Sequence, residues 1–166
     1  MKIAPAFVLS PSDFLSPAVR ATMGTVVLVK GVYDLTHTGH IRSLWDASQY
    51  GDSLVVALAD DASVRERKGP SRPILRLDER VAVISSLKMV DYIVAYREIS
   101  PFHLISMICP DVFCATHFDS LTDHERGALS KLGVLLRQLP RPNERSTTDI
   151  IKDILASNTA HEKEVN

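Results

Sequence analysis

The chain has 166 residues, 45% of them hydrophobic, with 19 Lys+Arg against 20 Asp+Glu and a formal net charge of −1. That length and apolar content suit one domain with a single sizeable core. The charge balance excludes a global basic field for a nucleic acid backbone, and no apolar run approaches the ~20 residues that span a bilayer, so neither nucleic acid nor membrane is expected as a partner.

The first nine residues are mildly signal-like, but the apolar run is short, holds Pro5 and leads to Asp13 rather than to a cleavage site. A secretory leader is therefore not expected, and a cytoplasmic protein is. Residues 1–24 read as an extension with a short helix near 12–22. The apolar, β-branched run 25–29 is the first strand, of the kind covered on both faces. A helix follows over 38–50, with Ile41, Leu44, Trp45 and Ser48 on its buried side, and Gly51 ends it. The second strand is 53–59. Residues 62–73, rich in Arg, Lys, Gly and Pro, read as a loop, or as a loop plus a frayed helix.

A helix over 78–88 leads to a third strand at 91–95. Ser100 can cap a short helix over 101–107, with Pro101 in its first turn. The fourth strand is 111–115, followed by a polar helix over 121–131 and a fifth strand at 134–139. Cys109 and Cys114 match no metal or redox spacing and read as buried, reduced thiols. The last helix opens at Ser146, where Ser146 and Asp149 have capping-box spacing. Ile150, Ile151, Ile154 and Leu155 form its apolar stripe. From Ser157 the chain reads as a polar, disordered tail.

Strands alternating with helices imply an α/β fold: a Rossmann-like five-stranded parallel sheet with helices on both faces. The expected division is an extension at 1–24, a domain at 25–156 and a tail at 157–166. In such sheets ligands lie beyond the carboxyl ends of the strands, at the switch point. The loop after strand one, residues 31–40, holds His37 and His40 on one side of a helix start, with Gly31 and Gly39 allowing close backbone approach. Helix N-termini favour phosphate, so the residues describe an anion site with two imidazoles. Capping or packing histidines and a metal pair are the other readings of such a spacing. No carboxylate or Cys partner is spaced to complete a metal site, so none is expected.

Gly31-Val32-Tyr33-Asp34-Leu35-Thr36-His37-Thr38-Gly39-His40 resembles the Gly-x-Phe-Asp-x-x-His-x-Gly-His signature of the cytidylyltransferase-like nucleotidyltransferase superfamily, with Tyr33 in place of Phe. The stretch from Lys68 through Ser71, Arg72 and Pro73 to Arg80 is similar to one in the heptose-1-phosphate adenylyltransferases. Ser146-Thr147-Thr148 with Ile150 resembles the Ser-Thr-Thr-x-Ile signature that opens the superfamily's last helix. Arg141, five residues before Ser146, is instead similar to the last signature of the glycerol-3-phosphate and phosphoethanolamine cytidylyltransferases.

The resemblance implies a nucleotidyltransferase that moves CMP or AMP from CTP or ATP to a sugar, polyol or amino-alcohol phosphate, or a phosphonate, releasing pyrophosphate. It implies His37, His40 and Lys68 as catalytic residues. It implies nucleotide contacts from Gly31, Val32, Tyr33, Thr38, Gly39, Arg80, Arg141, Ser146, Thr147 and Thr148, and acceptor contacts from Asp34 and Arg72. Nucleotide-bound Mg²⁺ and a homodimer are implied with it. Where the family has a glycine loop after strand four, this chain has Ala115-Thr116-His117-Phe118-Asp119. Thr116, His117 and Phe118 are the candidates there to meet the base, by stacking in the case of His117 or Phe118. That departure supports the alternative: a catalytically degenerate nucleotide-binding regulator on the same fold.

Overall fold

A computed structural model describes residues 6–97, 101–140 and 146–164, with the side chains of 158–164 left aside. In chain order it contains β1 (Phe7–Leu9), a 3₁₀ turn (Pro11–Leu15), α1 (Pro17–Ala21), β2 (Val26–Gly31), α2 (Thr38–Ser48), β3 (Ser53–Ala59) and α3 (Asp61–Lys68). Then follow α4 (Leu77–Ser85), β4 (Tyr92–Tyr96), α5 (Pro101–Ile108), β5 (Val112–Ala115), α6 (Asp123–Lys131), β6 (Leu135–Gln138) and α7 (Thr147–Glu164).

All strand pairs are parallel, in the order β1-β4-β3-β2-β5-β6. The sheet thus has six strands where the sequence predicts five. The sixth comes from residues 7–9, in what reads as an extension; they add to the edge of β4, with the Phe7 and Tyr92 rings 6.0 Å apart. Three residues ahead of Pro11 are too few to show a period, so pairing reveals this strand and pattern does not.

Every residue of β3 and the first four of β2 are buried, as unbroken apolar runs require in a sheet covered on both faces. Alternate residues feed two cores. Val26, Leu28, Val55, Ala57, Ala59, Val94 and Phe113 face α5, α6 and the amino-terminal turn. Val27, Val29, Leu54, Val56, Ile93 and Cys114 face Leu44 of α2 and Ile84 of α4.

The amino ends of the inner strands are tied by carboxylates. Asp52 accepts from Thr25 N–H (2.8 Å), Asp91 from Leu54 N–H (2.8 Å) and Asp111 from Val26 N–H (2.7 Å). These bonds satisfy amides at the closed end of the sheet and leave the carboxyl end for a site.

Three expectations change here. Ile41 (39% exposed) and Trp45 (55%) lie at the surface beside Met89, because the sheet covers only the Leu44 and Ala47 side of α2. Cys109 is exposed, in a left-handed conformation (φ 46°) just past α5; only Cys114 is buried, and both are free thiols. The last helix runs on to Glu164 rather than ending in a disordered tail at Ser157, since no Gly or Pro interrupts it. The cap expected at Ser100 lies outside the described residues. Among those described, no helix is long and apolar enough to cross a membrane.

Candidate active site

The strand order reverses between β2 and β5, so their carboxyl ends flank a crevice. A cavity of about 360 Å³ opens there. Its construction begins at Gly31. A Cβ at that position would come within 2.7 Å of the Tyr33 ring, so glycine lets the ring fold back over the strand end. Tyr33 (φ 55°) and Leu35 (φ 48°) both take the left-handed conformation, which costs non-glycine residues about 1 kcal/mol or more each and needs surrounding bonds to hold it.

Those bonds converge on Asp34, which is 1% exposed. Its carboxylate accepts from Arg72 Nε (2.9 Å) and from the N–H groups of Ile74 and Leu75 (2.9 Å each), and pairs with Arg72 Nη2 at 2.7 Å. Burial pushes the carboxyl up, but the Leu75 and Ile74 amides and the Arg72 guanidinium outweigh it and hold the group below the usual carboxylate range. The main-chain oxygen of Asp34 accepts from Thr147 Oγ1 (2.8 Å) at the start of α7. Asp34 and Arg72, read as acceptor contacts, therefore bind each other and pin the 72–75 segment and α7 to the signature loop.

His37 is the N-cap of α2, and its N–H donates to His40 Nδ1 at a long 3.4 Å. The two imidazole centroids are 3.8 Å apart, and the Tyr33 ring lies 5.2 Å from that of His40. Burial, with His37 and Lys68 adding to it, pushes His40 down to about 4. His40 is thus neutral at neutral pH, and because Nδ1 accepts a bond, the ring proton sits on Nε2. Of the first-turn amides of α2, that of His40 donates to the His37 carbonyl (2.9 Å), while the Thr38 and Gly39 amides, which have no acceptor within the helix, make this end electropositive. His40 and Ser43, one turn further along, both line the cavity.

The basic stretch after β3 is a helix followed by a loop, α3 ending at Lys68 and α4 starting at Leu77. Asp60 caps α3 by accepting from Ser63 N–H (2.7 Å), and Val64 is buried, which offsets the otherwise polar sequence. Its last turn brings Arg67 and Lys68 to the cavity. Burial, then the neighbouring Arg72 and Arg67 charges, push the Lys68 ammonium below its ordinary value, with the Asp34 carboxylate opposing them.

Arg80 is the clearest correction. Expected at the nucleotide, it is fully buried and does not line the cavity. Nε donates to Leu75 C=O (3.1 Å), Nη1 to Val32 C=O (2.8 Å) and Nη2 to Asp61 (2.7 Å). All three guanidinium nitrogens are engaged, so the side chain joins the signature loop to α3.

At α7, Ser146 Oγ donates to Asp149 (2.7 Å) and accepts from its N–H (3.2 Å), which is the capping box read from the sequence. Thr147 lines the cavity and Thr148 is exposed. Arg141 lies outside the described residues. On the β5 loop, Thr116 and His117 line the cavity, while Phe118 does not; it is half-buried and packs against the core, its ring 6.0 Å from that of Phe113. Arg126 fixes that inward turn by donating to the carbonyls of Phe118 (2.9 Å) and Leu121 (3.1 Å). Cys114 also borders the cavity, and burial pushes its thiol up to about 12, which leaves it protonated and non-nucleophilic.

The sequence reading missed Lys30, Ser43, Arg67, Tyr96 and Ser120, all of which line the cavity. Ser43 follows His40 by one helical turn and was legible; Tyr96 and Ser120 come from separate elements and carry no local signal.

A family model described as cytidylyltransferase-like matches residues 28–153. The bifunctional protein HldE of Syntrophotalea carbinolica is 36% identical over 132 residues, covering 79% of this chain and 27% of that protein. The HldE of Pseudomonas fluorescens is 37% identical over 137 residues, covering 81% and 29%. The chain thus spans less than a third of the length of these curated relatives. Among solved structures, a lipopolysaccharide core biosynthesis protein from Thermoplasma volcanium superposes with a TM-score of 0.60 at 28% identity, over 74% of this chain and 99% of that one. Pantoate-beta-alanine ligase from Francisella tularensis, at 13% identity and a TM-score of 0.55 over 86% of this chain and 69% of that one, shares the fold.

Proposed function

From the premise that this chain belongs to the cytidylyltransferase-like family and is a nucleotidyltransferase, we propose that it transfers CMP or AMP from CTP or ATP to a small phosphorylated acceptor. The acceptor class is a sugar, polyol or amino-alcohol phosphate, or a phosphonate. The resemblance of the Lys68–Arg72 stretch to heptose-1-phosphate adenylyltransferases favours ATP and a sugar phosphate. The carrying observation is the convergence of a neutral His40, with the His37 ring beside it, and of Arg67, Lys68 and Thr147 on one switch-point cavity.

In this reading an oxygen of the acceptor phosphate attacks the α-phosphorus of the nucleotide. A new P–O bond forms, the bond to the bridging oxygen breaks, and pyrophosphate leaves with the charge. No covalent enzyme intermediate is required, so catalysis is placement and stabilisation of charge. His40 Nε2–H donates to the triphosphate without the cost of ionising a buried imidazole, and His37 stands next to it. Lys68 and Arg67 neutralise charge on the leaving side. Gly31, Val32 and Tyr33 bring backbone to the nucleotide, Thr38 and Gly39 supply the first-turn amides of α2, and Ser146, Thr147 and Thr148 the start of α7. Asp34 and Arg72 position these parts.

Among the described residues no group of three His, Cys, Asp or Glu could hold a metal ion. A Mg²⁺ ion held by the nucleotide's own phosphates would supply charge neutralisation beside Lys68 and Arg67. The reading also places the protein in the cytoplasm, as its free thiols suit, and makes it a homodimer, for which the exposed Ile41 and Trp45 offer an apolar face.

The test is pyrophosphate release with ATP and CTP against a panel of phosphorylated sugars, polyols and amino alcohols. Release with one pair supports the transferase. No release with any pair, alongside nucleotide binding, supports the degenerate regulator that the bulky 116–119 loop suggests.

A further inference from the structure

The cavity spans both faces of the sheet edge, and the mechanism above uses mainly one of them. His40 and Ser43 lie on the α2 face, with Val29 and Cys114 beneath them. Lys30 lies on the other. Val26 and Leu28 belong to the core on the α5–α6 side and Val27 and Val29 to the core on the α2 side, so strand alternation turns Lys30 to the α5–α6 side.

Its strand neighbours there are small. Lys30 pairs with Ala57, with Ala59 two residues further along β3, and on β5 Ala115 follows Cys114, the partner of Val29. Ala57 and Ala59 are buried in the core, and Ala115 lines the cavity beside the half-buried lysine. Tyr96 and Phe113 wall it, and Ser120 adds a hydroxyl. A cation beside Ala115, with a phenol and a hydroxyl at its margin, has the chemistry to hold a phosphate monoester carrying hydroxyl groups.

In-line displacement requires the attacking and leaving oxygens on opposite sides of the α-phosphorus. With the leaving pyrophosphate at the α2 end, an acceptor would enter from the Lys30 face. Resting on the proposed transferase reading, we propose that Lys30, with Tyr96 and Ser120, forms the acceptor subsite, and that Lys30 binds the acceptor's phosphate.

The test uses calorimetric titration of the wild type, Lys30→Met and Lys30→Arg. One arm titrates α,β-methylene-ATP and α,β-methylene-CTP. The other titrates glucose 1-phosphate, ribose 5-phosphate and sn-glycerol 3-phosphate into protein saturated with the better analogue. The expected result is nucleotide affinity within about twofold of wild type in both variants. At least one acceptor probe should bind the wild type and lose tenfold or more in Lys30→Met, with part of that recovered in Lys30→Arg. Unchanged probe affinity in Lys30→Met, no probe bound by the nucleotide-loaded wild type, or a parallel loss of nucleotide affinity overturns the assignment while leaving the transferase reading standing. A wild type that binds neither nucleotide overturns both.

Discussion

Asp34 and Arg80 grip the two ends of one residue: Leu75 donates its N–H to the Asp34 carboxylate at 2.9 Å, and its carbonyl accepts from Arg80 Nε at 3.1 Å. Arg80 also bonds the carbonyl of Val32, two residues before Asp34, and Asp61 at the start of α3. The signature loop, the 72–76 segment and the helix carrying Lys68 are thus one hydrogen-bonded unit, closed onto α7 by Thr147.

Replacing Arg80 tests that unit. Arg80→Leu strands two carbonyls and one carboxylate, and breaking a buried pair on one side costs about 3–5 kcal/mol. Arg80→Lys keeps the charge but offers one ammonium for three separated acceptors, so it recovers only part of the loss. Urea denaturation midpoints measure both; a loss below about 1 kcal/mol for Arg80→Leu would show that the network adds little.

His40→Ala should lower kcat by about 10²–10³, the range seen when a preorganised donor to developing charge is removed. Urea denaturation should show the variant folded. A near-normal turnover would take His40 out of the chemistry.

His40 also gives the fold a pH dependence of defined sign. Its value is about 4 in the folded protein, from burial first and then the His37 and Lys68 charges, against an ordinary 6.5. Between these values the unfolded chain holds the extra proton, so stability rises with pH. The contribution is complete above about 6.5 and is lost as pH falls towards 4. One unit corresponds to about 1.4 kcal/mol, which makes the whole on the order of 3–4 kcal/mol. Denaturation curves at pH 4.5 and 7 should differ less for His40→Gln than for wild type; equal pH slopes would contradict the shift.

Gly31→Ala places a methyl within 2.7 Å of the Tyr33 ring and should cost about 1–3 kcal/mol by overpacking. In a Tyr33→Ala background the same change should be much cheaper. A double-mutant cycle with no coupling would show that the ring is not what requires glycine there.

Local chemistry made much of this protein legible in its sequence. The apolar runs of β2 and β3 report a sheet covered on both faces, and Ser146 with Asp149 forms the cap their spacing suggests. His37 and His40 meet because a three-residue step at a helix start brings rings together. What stayed hidden depends on distant partners. Arg80 looks like a helix-surface cation until Asp61 and the carbonyls of Val32 and Leu75 surround it. Phe118 looks like an exposed aromatic on a loop until Arg126 turns that loop inward. Ile41 and Trp45 have the spacing of a buried stripe, but the sheet reaches only Leu44 and Ala47. Lys30 lies one residue before the recognisable signature, and only strand parity shows which face it serves.

A crystal structure with bound α,β-methylene-ATP or α,β-methylene-CTP tests the central claim most directly. The account predicts the triphosphate between the His37–His40 pair and the first turn of α7, with Lys68 drawn onto its oxygens. Nucleotide bound away from the β2–β5 crevice, or in it with neither imidazole within hydrogen-bonding distance of a phosphate oxygen, would contradict it.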